Sequence, residues 1–157
     1  MSIEIAIRSE LINDADVTAL VGTRVYPVMM PQGFEMPCIS YQRISSNRMH
    51  TLSGPTGRVD ANFQVDFYDE SYAVVRELAD KARNLLDGFK GDLGINELIT
   101  TENNEYITDI NDELITTEQS IMGEIVGGIH LVSDRDLWQD NIAVYRVTHD
   151  YSVFYFD

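Results

Sequence analysis

The stretch Val59-Asp-Ala-Asn-Phe-Gln-Val-Asp-Phe-Tyr68 decides the fold. In it Val59, Ala61, Phe63, Val65 and Phe67 alternate with Asp60, Asn62, Gln64, Asp66 and Tyr68. A side-chain period of two sends successive residues to opposite faces, so the segment is a strand of a sheet with one buried face. Tyr145 to Phe156 repeats the pattern: Val147, Tyr151, Val153 and Tyr155 share one face, with His149 interrupting them, and Arg146, Thr148, Asp150 and Ser152 share the other. Cys38 to Ile44 alternates more weakly. Ser53-Gly-Pro-Thr-Gly57 reads as a turn or mobile loop separating two strands that pair antiparallel.

Helical spacing appears on either side of these strands. Between Ser71 and Leu86, Val74, Val75, Leu78, Ala82, Leu85 and Leu86 recur at helical spacing. Asp69 and Glu70 favour the positive end of that helix, and Gly88 fits its far end. Ile3, Ile7 and Leu11 line a first helix ending near Asn13. Asp14 and Asp16 can cap a short second turn through Val17, Leu20 and Val21, which Gly22 stops. From Arg24 the character is extended, and Pro27, Pro31 and Pro37 with Gly33 force an irregular bridge between two extended pieces. The pattern predicts an α+β fold, a mostly antiparallel sheet of about four strands backed by two main helices.

An insertion at about 95–126 interrupts this pattern. Three octads follow one another: Asn96 to Asn103, Asn104 to Asn111 and Asp112 to Gln119. Eight residues at ~100° each leave a mismatch of ~80° per repeat on a helix, which disfavours that reading. Six-residue strands joined at Asn103-Asn104 and Asn111-Asp112 would make a three-stranded meander, with Ile99, Tyr106, Ile110 and Ile115 on one face. A small meander is marginal alone and calls for support from the domain or a neighbour. The alternative is a long acidic loop, since no Lys or Arg lies between Asp92 and Asp134.

Length and composition bound the function classes. At 157 residues and 44% apolar, residues 1–157 suffice for one domain with a proper core. A formal charge of −15, from 26 acidic and 11 basic side chains, argues against grasping DNA, which needs clustered Lys and Arg. The lone Cys38 forms no intrachain disulfide, and no Cys or His pair has metal-ligand spacing. No stretch reaches the ~20 apolar residues of a membrane span, and the N-terminus has no secretory pattern, so a soluble cytoplasmic chain is expected.

Candidate chemistry is sparse. His50, His130 and His149 lie in different elements without ligand or catalytic partners in motif spacing. Cys38 has apolar neighbours and reads as a buried strand cysteine rather than a nucleophile. Asp134 and Asp136 flanking Arg135 read as a solvated loop or an ion pair, and Gly54-Pro-Thr-Gly57 lacks the Lys of a phosphate loop. No catalytic residue, metal site or cofactor is therefore expected. Tyr41, Tyr68 and Trp138 serve either a sheet core or a subunit interface.

The order of short blocks along the chain resembles the tail-completion (tail-terminator, or tail-to-head-joining) proteins of long-tailed bacteriophages. The blocks are Ala19-Leu-Val-Gly22, Arg24-Val-Tyr-Pro27, Pro31-Gln-Gly33, Pro37 before Tyr41-Gln-Arg43, and Gln64-Val-Asp66. Ser71-Tyr72, Leu86-Asp-Gly88, and Asp134 to Trp138 before Tyr145-Arg146-Val147 follow. The resemblance implies a structural virion protein forming a hexameric ring at the head-proximal end of the tail tube, ending its growth and joining it to the head. Its partners would be further copies of itself, the tube protein and a head-side connector or stopper, with DNA only as passing cargo and no membrane. It would be made in the host bacterial cytoplasm and reside in the virion. The motif positions Arg24, Tyr26, Pro27, Pro31, Gln32, Gly33, Pro37, Tyr41, Arg43, Asp66, Tyr72, Gly88, Trp138, Tyr145 and Arg146 become structural or interface candidates. The octads depart from the family pattern, and Ile99, Tyr106, Ile110 and Ile115 become assembly candidates. Competing readings are a connector-side adaptor, a monomeric acidic binding module, and a small enzyme using the Asp134 and Asp136 region.

Overall fold

The computed structural model describes residues 3–93 and 124–156. Three helices, α1 (Ile3–Asn13), α2 (Ala15–Val21) and α3 (Tyr72–Leu86), pack on one face of a mixed sheet. Its strands are β1 (Val25–Pro27), β2 (Cys38–Thr51), β3 (Gly54–Asp69), β4 (Gly91–Leu93), β5 (Glu124–Gln139) and β6 (Val144–Phe156). They lie in the order β1-β2-β3-β6-β5-β4. Only β1 runs parallel to its neighbour, and all other pairs are antiparallel.

β3 and β6 form the centre, paired without a bulge from Arg58↔Phe156 to Asp69↔Tyr145. Their odd-numbered residues face the helices. Val59, Ala61, Phe63, Val65, Phe67, Val147, Tyr151 and Val153 are buried there, and His149 joins them with no exposed surface. α3 meets this face through Val75, Leu78, Ala79, Ala82 and Leu86, and α1 through Ile3, Ala6, Ile7 and Leu11. Both sets recur at spacings of three and four, which lines one side of a helix. Asp14 caps α2 by accepting from the Val17 N–H at 2.8 Å. Gly22 then ends it at φ 56°, in the region that a β-carbon resists.

The α+β expectation therefore stands, while its details change. The sheet has six strands instead of about four, and three helices cover it instead of two main ones. β1 and β4 are three residues long, too short to show a period. β5 was hidden because it carries register shifts between Val126 and Gly128 and between Leu131 and Ser133. Each shift inverts the alternation that marks a strand. The turn expected over Ser53 to Gly57 joins two antiparallel strands but is shorter: β2 runs to Thr51, β3 begins at Gly54, and only Leu52 and Ser53 lie between them. The octads and Ile99, Tyr106, Ile110 and Ile115 lie outside the described residues. Residues 124–126, read as the end of the insertion, belong to β5.

Burial separates two leucines of equal size. Leu78 is fully buried under the sheet and Leu52 is fully exposed at the β2–β3 turn. Leu78→Ala is expected to cost about 2–5 kcal/mol of folding stability. Leu52→Ala should change it by less than about 0.5 kcal/mol, as read by urea denaturation.

Candidate assembly surface

Three groups of side chains outside the apolar core define the surface. The first lies beside α3, where the Arg76 guanidinium donates to both carboxylate oxygens of Asp134. It also reaches Asp136 at 3.1 Å and Asp80 at 3.6 Å. The Tyr72 hydroxyl donates to Asp136 at 3.0 Å. This fork-on-fork geometry holds the Asp134 carboxyl below the usual carboxylate range. The sequence pair Asp134 and Asp136 is thus an ion-paired element of a strand, tying β5 to α3.

His149 sits under this pair. Its Nδ1 is 2.9 Å from the Tyr151 hydroxyl, its Nε2 lies 3.6 Å from Asp134 Oδ1, and its ring packs edge-on against Phe67. Burial depresses its pKa, outweighing the pull of the Asp134 charge.

The second group occupies the opposite face of the sheet. Asp66 is buried and accepts from Arg146 at 3.1 and 2.8 Å, from the Thr148 hydroxyl at 2.6 Å and from the Gln64 amide at 3.1 Å. A buried carboxylate needs such a full set of donors. Next to it the bridge between β1 and β2 folds over the sheet. Tyr26, Met30, Phe34 and Met36 cover Cys38, Tyr68 and Val144 in a small second core. Burial pushes the Cys38 thiol up to about 11, which suits a packed side chain rather than a nucleophile. Arg24 locks the bridge: its guanidinium donates to the Pro37 carbonyl at 2.9 Å and to the Leu20 carbonyl at 3.1 Å. The second of these satisfies a carbonyl in the last turn of α2.

The third group is exposed. At one end of the sheet Tyr145 stacks edge-on with both Tyr72 and Trp138, and Trp138 keeps half of its surface in solvent. Leu137 and Ile142 are exposed close by in sequence. At the other end the β2–β3 hairpin outruns β6, whose last pair is Phe156↔Arg58. Gly54 to Gly57 extend past it by about 13 Å at ~3.3 Å per residue. Met49 and Leu52 are exposed along this arm.

The candidate positions therefore divide. Arg24, Tyr26, Pro37, Asp66 and Arg146 converge on the second core and its ion pair. Tyr72, Trp138 and Tyr145 form the aromatic stack. Tyr41 is buried against the helices, and Arg43, on the same strand, pairs with Glu4 of α1 at 3.0 Å. Pro27, Pro31, Gln32 and Gly33 line the exposed bridge, and Gly88 turns the chain after α3 at φ 81°. Of the three aromatic interface candidates, Tyr41 and Tyr68 are buried and Trp138 is exposed. Sequence reasoning missed the arm, although one signal was present: no Asp or Glu occurs from Met36 to Val59 in a chain of charge −15.

Over residues 5–155 the sequence matches the family described as Tail completion protein gp17. The chain belongs to that family of phage tail proteins. A comparison with curated proteins finds no match. Among solved structures, a chain of the "Virion of native gene transfer agent (GTA) particle" is similar, with a TM-score of 0.68 at 14% identity. The alignment covers 99% of this chain and 96% of that one, a likeness of fold.

Two consequences follow for this tail completion protein. Between its depressed folded pKa and the ordinary 6.5, His149 binds a proton in the unfolded chain that the folded chain refuses. Stability must then fall as pH drops through that window, and return above it. Thermal melts at pH 7 and pH 5 should show this loss, and His149→Gln should reduce the difference. Arg146→Met strands the buried Asp66 carboxylate and is expected to cost about 3 kcal/mol. Asp66→Asn leaves only the half-exposed Arg146 without its charge partner and should cost less in the same denaturation assay.

Proposed function

We propose that the protein is a structural virion component that closes the head-proximal end of the tail tube as a hexameric ring. Membership of the tail completion family across residues 5–155 is the observation that carries this reading. The mechanism is geometric. One ring face matches the last ring of tube protein and the other a head-side connector or stopper, while heterologous contacts between copies close the circle. Tube growth stops because the second face differs from the first. DNA passes through the hole as cargo, and a charge of −15 suits a wall to which phosphates do not adhere. No bond-making is assigned to any residue, and no cofactor is needed.

The motif residues take two roles in this reading. Arg24, Tyr26, Pro37, Asp66, Arg146 and Gly88 hold the subunit's shape. Trp138, Tyr72, Tyr145 and the exposed Pro27, Pro31, Gln32 and Gly33 are available to neighbours. The insertion from 95, with Ile99, Tyr106, Ile110 and Ile115, acts as a further assembly element of a single 1–157 domain. Synthesis takes place in the host bacterial cytoplasm, before incorporation into the virion.

Phage particles lacking the protein test the proposal by electron microscopy. Abnormally long or unattached tails are expected, and tails of normal length joined to heads would overturn it. Deleting Asn96 to Gln119 should impair assembly, and normal tails from that deletion would remove the role given to the insert.

A further inference from the structure

Two buried polar atoms flank one ion pair, each without a hydrogen bond of its own. Arg76 donates to both oxygens of Asp134. On one side of that pair, His149 Nε2 lies 3.6 Å from Asp134 Oδ1, beyond hydrogen-bond reach, and has no other hydrogen-bond partner among the described residues. On the other side, Asp80 Oδ1 has only ion contacts, with Arg83 at 3.3 Å and with Arg76 at 3.6 Å. Buried polar atoms left in this way cost free energy, so a rearrangement that satisfies both is favoured once the charges allow it.

The groups facing His149 decide when that happens. β5 presents Asp134, α3 presents Arg76, Asp80 and Arg83, and β6 presents the Tyr151 hydroxyl. β3 presents only Val65 and Phe67, and Asp87, just after α3, bears on Tyr151. With Asp80, Asp134 and Asp136 against Arg76 and Arg83, the cluster lacks a positive charge. His149 is its one group that gains a charge of that sign on acidification. Burial keeps the ring neutral until the pH falls below the ordinary 6.5.

We infer that His149 and Asp134 form a proton-operated latch: an imidazolium at position 149 draws Asp134 Oδ1 away from Arg76, and the released guanidinium turns toward Asp80 and Asp136. The proton comes from solvent, and the imidazolium then carries an N–H on both nitrogens, Nδ1 donating to the Tyr151 hydroxyl and Nε2 to Asp134. Asp80 Oδ1 gains the hydrogen bond it lacks. The change reaches the surface through contacts already in place. The Tyr72 hydroxyl donates to Asp136 at 3.0 Å, the Tyr72 ring lies 5.5 Å from that of Tyr145, and Tyr145 lies 4.8 Å from the half-exposed Trp138. One buried proton thus adjusts the aromatic end of the sheet. The latch belongs to a lone subunit and does not depend on a ring.

Trp138 is the single Trp of the chain, so its fluorescence reports that end alone. The test titrates the full chain from neutral pH downward, following the His149 ring signals by NMR and the Trp138 emission together, with far-UV circular dichroism marking where the fold is lost. Both signals should shift with one common midpoint below 6.5 while the fold persists. His149→Gln should abolish the emission step. Tyr72→Phe should leave the His149 titration in place and lose the emission step, because the link to Asp136 is gone. An emission step that survives in either variant would overturn the inference. So would a His149 titration that leaves Trp138 unchanged, or loss of the fold before the ring takes up its proton. The wild-type titration carries both signals, so the latch is tested even where a variant does not fold.

Discussion

Everything else in the molecule is arranged around the unbroken pairing of β3 with β6, from Arg58↔Phe156 to Asp69↔Tyr145. Two long strands in one register produce one row of apolar side chains on each face-period. That row, from Val59 to Phe67 and from Val147 to Tyr155, is what α1 and α3 cover. A slip of one residue would turn Asp66 and Asp60 into the core and expose Phe63 and Phe67. The Asp66 cluster resists such a slip from the other side. Its donors come from β3 itself and from β6, so the ion pair forms only in the observed register. The motif positions Asp66 and Arg146, far apart in sequence, thus meet as one device.

Attached to this centre, the remaining pieces differ in how firmly they are held. β5 is fixed to α3 by Arg76 acting on Asp134 and Asp136, with His149 buried neutral beneath. The bridge between β1 and β2 is fixed by Arg24 and by the packing of Tyr26, Met30, Phe34 and Met36. The tip of the hairpin arm is tied to itself, the Thr56 hydroxyl donating to the Met49 carbonyl at 2.9 Å and the Thr51 hydroxyl to the Gly54 carbonyl at 3.1 Å. Met49 and Leu52 are exposed along it.

How much of this was legible in the chain depends on period and length. α1, α3 and the two central strands were, because each is more than ten residues long and repeats its apolar spacing. Capping by Asp14 and the stop at Gly22 followed from local chemistry alone. β5 was not legible, since two register shifts break its alternation and both faces are polar from Ser133 to Asp136. The turn was read too long because Gly54, Pro55 and Gly57 are turn residues, and here they sit in a projecting strand with no core to face. The Asp66 and Arg146 pair was visible only as members of a family pattern, because no local spacing reports a contact between residues 66 and 146. Trp138 was an open choice between core and interface, and burial places it at the surface while Tyr41 and Tyr68 go inside.

The central claim is that this protein acts by shape, as a repeated subunit around an axis. Cryo-electron microscopy of the head-proximal end of isolated tails tests it most directly. A ring of symmetry-related copies is expected, each showing the six-stranded sheet. A single copy at that position, or tail ends without the protein, would contradict the account.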